Sequence, residues 1–337
     1  MKHHLWLAMA LLQSGALSAL PKPRVAFLGP LGSFSHEAAV ASFGSEATIL
    51  PQASFQDAFA ALQANESDYA AIPLENSSNG AVVQVLDLLA DRKGLYGDVA
   101  ICGEHYLPVH HCLLVKKADG GQTSPPPVDI TTDPRYEAIT KLYTHPQAWG
   151  QCEAFLSKYF KGVERQDVSA TSKAAEIISK EPGNSSAAIA SRFAAEQHGV
   201  DILAENIEDD SENTTRFLLF RNRKSDTPKL CGHEDQKKPD ESDKNAMRKA
   251  LISFTIDHSS PGALANALFI FKKFSMNLTA INSRPSGIRP WQYIFFVECQ
   301  GPAKRNDRNV EKIMAGLTSV THSSQHLGSW DDMLGSN

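Results

Sequence analysis

Glu205-Asn-Ile-Glu-Asp-Asp-Ser-Glu-Asn-Thr-Thr-Arg-Phe-Leu-Leu-Phe220 joins an acidic, polar run directly to an apolar strand. The junction is Asn213-Thr-Thr-Arg-Phe217, so a hydroxyl and a guanidinium are expected at the mouth of a buried strand. Such a pair of groups is suited to holding a small anion. A Thr-Arg pair at a strand start is also ordinary loop chemistry, so the interpretation depends on the rest of the chain.

The sequence on either side of this strand alternates between short apolar runs and amphipathic segments. Val25–Leu28 and Tyr69–Pro73 are typical of buried strands, and Phe55–Ala64 has its large apolar residues on one helical face. This alternation predicts an α/β fold with parallel strands and with sites at their C-terminal ends. Ala100–Val115 is predicted to be one long strand, and the chain is expected to cross between two lobes at about His105–Val109.

The C-terminal third of the chain has a different pattern. Asn222–Arg248 is rich in Lys, Asp, Glu and Pro and has almost no large apolar residues, which predicts a flexible linker between domains. Beyond it, predicted strands and helices follow the order βαββαβ of a ferredoxin-like sandwich. The first helix of this smaller module is expected to open at Pro261-Gly-Ala-Leu264, because proline suits the first turn of a helix.

Composition and charge exclude several classes of function. The net charge of -5 gives no reason to expect nucleic acid or an anionic membrane surface as a partner. The cysteines are odd in number, scattered and without a CxxC pair; they are Cys102, Cys112, Cys152, Cys231 and Cys299. This spacing argues against a disulfide framework and against a zinc site, and it favours a reducing compartment.

Residues 1–23 have the character of a leader. Lys2 is followed by the apolar run Leu5–Leu12 and then by the small-residue stretch Ser14–Ala19, as in a short secretory signal peptide. The apolar run is too short to span a membrane. Either the chain is secreted, or these residues are a non-native leader. We favour the second interpretation and a cytoplasmic location, because the positively charged region before the apolar run is short. The first predicted strand begins only at Arg24, so the fold does not need the leader.

Three further segments place short polar side chains where a strand meets a helix. In chain order they are Gly29–Ala39, Pro73–Val82 and Thr144–Cys152. Backbone N–H groups at such turns bind anions. Together with Thr-Arg-Phe at 215–217, these segments resemble the prephenate dehydratase family in its monofunctional form with a C-terminal ACT regulatory domain. The resemblance extends from about Arg24 to about Trp330.

This resemblance implies a domain organisation. A two-lobed, periplasmic-binding-protein-like α/β catalytic domain is expected at residues 24–221, followed by a linker at 222–248 and a ferredoxin-like ACT domain at 249–332. The first lobe is expected at about 24–105 and 204–221, and the second at about 106–203. The family also implies assembly as a homodimer or homotetramer.

The resemblance further implies the decarboxylating dehydration of prephenate to phenylpyruvate, in phenylalanine biosynthesis. Prephenate is a dicarboxylate whose loss of carbon dioxide and water makes its ring aromatic. The reaction therefore needs no electron sink, and neither a cofactor nor a metal is expected. The protein must hold two carboxylates and help a hydroxide leave by donating a proton or a hydrogen bond.

Catalytic residues are carried over from the family's motifs. Thr215 of Thr-Arg-Phe is expected to hydrogen-bond the departing hydroxyl or an adjacent carboxylate. Pro73-Leu-Glu-Asn-Ser resembles the family's Pro-Ile-Glu-Asn-Ser/Thr and contributes Glu75 and Asn76, and His145-Pro-Gln-Ala-Trp-Gly-Gln contributes Gln151. Glu75 is expected to orient Asn76, or to act as an acid if its pKa is raised.

Substrate-binding residues are taken from the same segments. Arg216 is expected either to clamp a carboxylate in bidentate fashion or to form a salt bridge with the acidic run Glu208–Asp210. The hydroxyls near the helix starts are expected either to bind a carboxylate or to cap the helices. Phe217 is expected at the substrate or in the core. The set is Arg216, Ser33, Thr171, Ser172 and Phe217.

Two motifs of the smaller module resemble the phenylalanine-binding motifs of ACT domains. They comprise Gly262, Ala263 and Leu264 in one segment and Asn282, Ser283, Arg284 and Pro285 in the other. The family usually has Glu where this chain has Asn282. A carboxylate that would hold the ammonium group of the ligand is therefore missing, and weaker binding of phenylalanine as an allosteric effector is expected.

Two alternatives remain open at the level of the sequence. The substrate could be arogenate, which carries an amino group in place of the keto group of prephenate. The two-lobed fold also suits a non-catalytic solute-binding protein, and a signal-like leader would accompany one. That second alternative leaves the C-terminal module and Thr-Arg-Phe unexplained.

Overall fold

The computed structural model describes residues 22–117, 126–225 and 246–334. Residues 1–21 of the predicted leader and most of the predicted linker lie outside these ranges. The predicted linker begins at Asn222 and ends at Arg248. In the structure Asn222 is the last residue of one strand and Met247 is the first residue of the next, so both strands extend into the predicted linker. No helix within the described ranges is long and apolar enough to cross a membrane.

Parallel strands with connecting helices form the first lobe. Val25, Ala26 and Phe27 are fully buried, as expected for a short apolar strand covered on both faces. The first strand pairs in parallel with the second and the third, which confirms the predicted α/β pattern. The elements are β1 (Arg24–Leu28), α1 (Phe34–Phe43), β2 (Thr48–Gln52), α2 (Phe55–Gln63), β3 (Tyr69–Asn76), β4 (Gly80–Ala81), α3 (Val83–Leu89) and β5 (Val99–Pro108).

The second lobe has its own five-stranded sheet, in the order β10-β6-β9-β7-β8. The predicted single strand Ala100–Val115 is in fact two, because the chain leaves the first sheet after Pro108 and enters the second at Cys112. The elements are β6 (Cys112–Val115), α4 (Pro134–Ala138), β7 (Lys141–Thr144), α5 (Pro146–Gln151), α6 (Glu153–Tyr159), β8 (Glu164–Asp167), α7 (Thr171–Lys180), β9 (Ser186–Ala190), α8 (Arg192–His198) and β10 (Asp201–Ala204).

The chain returns to the first lobe in β11 (Thr214–Asn222), which is antiparallel to both of its neighbours, β3 and β5. Because side chains alternate along a strand, the two faces of β11 contribute to different cores. Leu218 and Phe220 belong to the buried cluster that includes residues of α2 and α3. Phe217 and Leu219 face the opposite side of the sheet, towards residues of α1.

The C-terminal module has the predicted βαββαβ order. Its strands pair as β13-β14-β12-β15, which is the strand order of a ferredoxin-like sandwich. Its elements are β12 (Met247–Thr255), α9 (Ala263–Lys273), β13 (Asn277–Pro285), β14 (Tyr293–Pro302), α10 (Asn306–Leu317) and β15 (Ser323–Asp331). The two-lobed α/β fold with an attached ferredoxin-like sheet, expected from the sequence, is thereby confirmed.

Three described cysteines, Cys112, Cys152 and Cys299, are free and buried. Burial raises the pKa of the Cys112 thiol to about 11, which makes it unreactive at neutral pH. Cys102 is disulfide-bonded, and its scattered position in the sequence did not predict that bond.

The module and the first lobe share one continuous sheet. β15 lies beside β5, with Gly328 opposite Ile101, so the sheet runs β13-β14-β12-β15-β5-β11-β3-β1-β2, and β4 pairs with β3. Apolar residues of the module, including Leu251, Phe296 and Trp330, lie in the same buried cluster as Leu218 of the first lobe. Only β5 therefore lies between β15 of the module and β11, the strand that carries Thr215.

Gly328→Ala is expected to disrupt this junction. A Cβ atom at Gly328 would lie 2.1 Å from the carbonyl oxygen of Ile101, so the strands would have to separate. Overpacking of this kind costs about 1–3 kcal/mol, which urea unfolding would measure as a lower free energy of unfolding. Gly97→Ala is the matched control, because a Cβ atom there meets nothing within 4 Å. Equal stability of the two variants would contradict the close approach of the strands.

Candidate active site

Thr215 and Asn76 lie side by side where β11 begins and β3 ends. The two residues are register partners, and the Asn76 Nδ2 donates a hydrogen bond to the Thr215 Oγ1 at 3.0 Å. Because the amide occupies a lone pair of the Thr215 oxygen, the hydroxyl hydrogen remains free to be donated elsewhere. The structure thus brings together two of the four residues predicted to be catalytic.

The orientation of the Asn76 amide is determined by backbone groups. Its Oδ1 accepts hydrogen bonds from the N–H groups of Ser78 and Asn79, at 3.1 Å and 2.9 Å. Backbone N–H groups can only donate, so the oxygen must face them and the NH2 group must face Thr215. The second Nδ2 hydrogen is taken by Asn213 Oδ1 at 2.8 Å.

Sequence reasoning missed two residues of this site, Asn213 and Ser77. Asn213 is buried, and its Oδ1 accepts a hydrogen bond from the Asn76 Nδ2. The Ser77 Oγ accepts the N–H of Thr214 at 2.9 Å. Ser77 directly follows the predicted site residue Asn76, and Asn213 lies two residues before Thr215. A polar side chain close to each motif was the only sign in the sequence that these residues belong to the site. Their hydrogen-bond partners are brought within reach only when β3 pairs with β11.

Glu75 does not orient Asn76, contrary to expectation. The register pairs Arg216 with Glu75 and Phe217 with Pro73, so Leu74 is an extra residue in a β-bulge. The bulge places Asn76 opposite Thr215 and Glu75 opposite Arg216, and successive residues point to opposite faces. The side chain of Glu75 has neither a hydrogen bond nor an ion pair with any residue that the structure describes.

Gln151 is held by a buried histidine at the crossing between the lobes. The His111 Nε2 lies 2.8 Å from the Gln151 Oε1, and burial lowers the pKa of His111, so the neutral ring donates to Gln151. The Glu208 Oε2 accepts the N–H of His111 at 2.8 Å and anchors this segment. The NH2 group of Gln151 then remains available as a hydrogen-bond donor.

Phe34 connects the two halves of the site. Its ring contacts the His111 ring edge-on at a centroid distance of 5.8 Å, and it packs against Phe217 and Leu107. The predicted substrate contact of Phe217 is therefore wrong, because the ring is 1% exposed in this apolar cluster. Phe217 supports the strand that presents Thr215 and is itself buried.

The predicted hydroxyl residues have different roles. Ser33 caps α1: its Oγ accepts the N–H of His36 at 3.2 Å and donates to the carbonyl of Leu28 at 3.3 Å. At α7 the cap position is Ala170, so the alternative that Thr171 or Ser172 caps this helix is wrong. The Ser172 Oγ is buried and has no hydrogen-bond partner among the described residues.

Arg216 is neither a substrate clamp nor a partner of the acidic run 208–210. Its Nη2 lies 2.6 Å from Glu104 and 2.6 Å from Glu298, in the buried contact with the C-terminal module. Burial alone would lower the pKa of Arg216, but the two carboxylates hold that pKa above its ordinary value. Arg216 points away from Thr215 because neighbouring residues of a strand face opposite sides.

The acidic run instead organises the loop between β10 and β11. The Glu208 Oε1 lies 2.7 Å from the His110 Nδ1, and Asp209 accepts the N–H of Ala154 at the start of α6. The Asp210 Oδ1 accepts the N–H of Glu212 at 3.0 Å. These contacts satisfy backbone donors at the crossing between lobes, which explains why the carboxylates precede the strand.

The lobes also meet beside the turn after β1. A cavity of about 670 Å³ is lined there by Gly29–Leu31 from the first lobe and by Glu176, Lys180 and His198 from the second. Thr215 and Asn76 do not line this cavity. Gly32 has a positive φ of 77°, and a Cβ atom there would lie 3.2 Å from the His198 ring, so only glycine allows this close contact between lobes.

Glu37 of the first lobe lies near Glu196 of the second, and its raised pKa predicts that the stability of the protein depends on pH. Burial, reinforced by Glu196 of the second lobe, raises the pKa of Glu37 from 4.5 to about 7. The folded protein therefore holds this proton more tightly than the unfolded chain does, and stability is lost as the pH rises from 4.5 to about 7.

Glu37→Gln is accordingly expected to unfold at a higher urea concentration than the parent protein at pH 8, and at nearly the same concentration at pH 4.5. Glu66→Gln, at an exposed position, serves as the control and should have no such pH dependence. An equal effect of Glu37→Gln at both pH values would contradict the raised pKa.

The predicted effector motifs lie on the C-terminal module. Gly262 precedes α9 with a positive φ of 80°, and Asn282 and Ser283 lie on β13, an edge strand. Arg284 is already paired: its Nε and Nη2 each lie 2.9 Å from a carboxylate oxygen of Asp87 on α3. Arg284 therefore fastens the module to the first lobe, which corrects its expected role as a ligand contact.

Within the described ranges, no three His, Cys, Asp or Glu side chains are grouped so that they could hold a metal ion.

Comparison with known proteins identifies the family. The family model described as "Prephenate dehydratase" matches residues 25–225. A bifunctional chorismate mutase/prephenate dehydratase of Aquifex aeolicus is 34% identical over 95% of this chain and 77% of its own length. Arogenate dehydratase 1 of Petunia hybrida is 32% identical over 91% of this chain and 66% of its own length.

The fold of this chain is also similar to that of a solved prephenate dehydratase. The prephenate dehydratase of Arthrobacter aurescens, solved in complex with L-Phe, superposes with a TM-score of 0.71 and 27% identity. The superposition covers 92% of this chain and 90% of that one, so it includes both lobes and the C-terminal module. With the family model matching more than half of its residues, this chain belongs to the prephenate dehydratase family, whose members are carbon–oxygen lyases.

Proposed function

We propose that this protein is a prephenate dehydratase that converts prephenate to phenylpyruvate in phenylalanine biosynthesis. The observation that carries the proposal is the hydrogen bond between Asn76 and Thr215 at the ends of two paired strands. It places the hydroxyl of the family signature where its hydrogen is free, next to a fixed amide. A site built from hydroxyl and amide groups suits a substrate that needs hydrogen bonds rather than an electron sink.

In this reaction the bond to the ring carboxylate breaks and releases carbon dioxide. Its electron pair enters the ring as the carbon–oxygen bond of the hydroxyl breaks on the opposite side. The departing hydroxide gains a proton and leaves as water. The Thr215 O–H stabilises the negative charge that develops on that oxygen, and the Gln151 NH2 group is a suitable donor to a carboxylate.

The direct test is an ultraviolet assay with prephenate and with arogenate supplied separately. Formation of phenylpyruvate from prephenate is the expected result. Arogenate is the second candidate substrate, and the identity to a petunia arogenate dehydratase is the observation that favours it. Phenylalanine formed from arogenate alone would establish that substrate. Failure with both would support the remaining alternative, a solute-binding protein.

We further propose that the C-terminal module is an ACT domain that binds phenylalanine as an inhibitor. The solved relative from Arthrobacter aurescens contains L-Phe, and the expected motifs of this chain lie at the start of α9 and on β13. Asn282 is half-buried on that strand, and Ser283 is exposed. A paired module is expected to complete the site, so the active assembly is proposed to be a homodimer or homotetramer.

Asn282→Glu is expected to strengthen the inhibition by phenylalanine. The new carboxylate would pair with the ammonium group of the ligand, and a hydrogen bond between charged groups contributes about 1.5–3 kcal/mol, equivalent to about a tenfold to hundredfold gain. Phenylalanine titrations of both proteins under one assay would measure the shift. Asn277→Glu, at an exposed position on the same strand, is the control. Unchanged sensitivity would remove Asn282 from the effector site.

The protein is proposed to act in the cytoplasm, where its pathway chemistry is expected. Removal of residues 1–22 should alter neither turnover nor assembly, because β1 begins at Arg24. Sedimentation at micromolar concentration would measure the assembly. Loss of soluble protein after the deletion would instead assign a structural role to the leader.

A further inference from the structure

A group of charged side chains is buried where the C-terminal module meets the first lobe. The Arg216 Nη2 contacts both Glu104 and Glu298, and the Lys249 Nζ lies 3.1 Å from Glu104 and 2.8 Å from Asp332. The side chains of Glu104 and Glu298 are 0% and 3% exposed. Loss of one partner from such a group leaves another charge buried and unpaired.

The charges come from both sides of the junction. Arg216 on β11 and Glu104 on β5 belong to the first lobe, whereas Glu298 on β14 and Lys249 on β12 belong to the module. Arg216 is therefore the contact between the strand that carries Thr215 and a carboxylate of the module. Because its side chain faces away from Thr215, any influence on the hydroxyl must pass through the backbone of β11.

The carboxylate of Glu298 has a second contact. Its Oε1 accepts a hydrogen bond from the Thr279 Oγ1 at 2.7 Å, while its Oε2 contacts Arg216. Thr279 lies on β13, three residues before Asn282. One carboxylate thus joins the strand expected to bind the effector to the strand that carries the catalytic hydroxyl.

We propose that Arg216 is a positioning residue, and that the contacts from Thr279 through Glu298 to Arg216 transmit the state of the C-terminal module to Thr215. This rests on the proposed function. Movement of β13 changes the position of the Glu298 carboxylate, and the buried cation must follow its counter-ion. The first residues of β11 move with it, and the hydroxyl of Thr215 leaves its productive position.

Thr279→Val tests the regulatory half of this proposal with little risk to folding. Without phenylalanine, kcat and KM should remain within about twofold of the parent values, whereas the concentration for half-inhibition should rise by about fivefold. Thr255→Val is the matched control, because among the described residues the Thr255 hydroxyl bonds only to the hydroxyl of Ser323 in the same module. Inhibition equal to that of Thr255→Val would overturn the proposed route.

Glu298→Gln tests the positioning half. It should lower kcat by about tenfold with KM within about twofold, and amide hydrogen exchange in β11 should become faster. A purely structural pair would lower the melting temperature without changing kcat at 25 °C. Arg216→Lys should show the same kcat effect; a raised KM with unchanged kcat would overturn positioning and restore the substrate clamp.

The exchange measurement separates this proposal from the proposed function. A parent protein that turns over neither prephenate nor arogenate would refute the function, yet β11 exchange in Glu298→Gln would still decide the positioning role. Unchanged exchange in the folded variant would overturn that role. Normal turnover in the parent protein with unchanged kcat and exchange in Glu298→Gln would overturn this inference alone.

Discussion

Thr215→Ala should reduce kcat by a factor on the order of a hundred or more while the protein remains folded. The side chain is half-buried at a strand end and makes one hydrogen bond, to Asn76, so its removal costs little stability. In the proposed mechanism, however, the hydroxyl donates to the departing oxygen in the transition state, and loss of such a donor typically costs about 100–1000-fold. Steady-state kinetics with the circular dichroism spectrum as a folding check would measure both.

Two further variants, one at Thr215 and one at Thr214, serve as controls for this test. Thr215→Ser keeps the hydroxyl and should retain most of the turnover, whereas Thr214→Ala removes a hydroxyl that bonds only to the carbonyl of Glu212. Thr214→Ala should therefore stay within about threefold of the parent protein, like most changes away from a site. Near-normal turnover in a folded Thr215→Ala protein would eliminate Thr215 as the catalytic hydroxyl.

Asn76→Asp should have an effect of similar size through a different cause. The aspartate can still accept the N–H groups of Ser78 and Asn79, so the turn is preserved. It cannot donate to Thr215, and it adds a negative charge where the dicarboxylate substrate is proposed to bind. We expect kcat/KM to fall by about a hundredfold or more, with contributions from both kcat and KM.

Asn79→Asp is the matched control for this charge. Asn79 is exposed three residues further on, and only its backbone N–H contacts Asn76. The same negative charge should therefore change kcat/KM by no more than about threefold, since an exposed charge is screened by water and salt. If both aspartates had equal effects, general electrostatic repulsion would explain the loss, and the hydrogen bond to Thr215 would not.

Much of the site could be predicted because its motifs combine local signals. The apolar run after Thr215 predicts a buried strand, and the polar residues that end Tyr69–Asn76 predict a strand followed by a turn. Parallel strands of one sheet end at the same edge, so Asn76 was expected near other site residues. The hydrogen bond between Asn76 and Thr215 agrees with that expectation, although β11 itself is antiparallel.

The expectations for Glu75 and Arg216 failed for a common reason. Each depends on which face of the sheet a side chain occupies, and one inserted residue reverses the faces. The bulge at Leu74 places Glu75 opposite Arg216, away from the face of Thr215. Phe217 shares the face of Thr215 but is buried against residues of α1. No feature of the local sequence marks that bulge.

The sequence by itself determined the α/β lobes, the ferredoxin-like order of the module and the residue types of the site, because periodicity and turn chemistry act over a few residues. Only the tertiary structure decided the partners. Arg216 is buried between Glu104 and Glu298, residues 112 and 82 positions away in the chain. A buried guanidinium must find a counter-ion, and which carboxylate lies within reach depends on how the module docks beside β5.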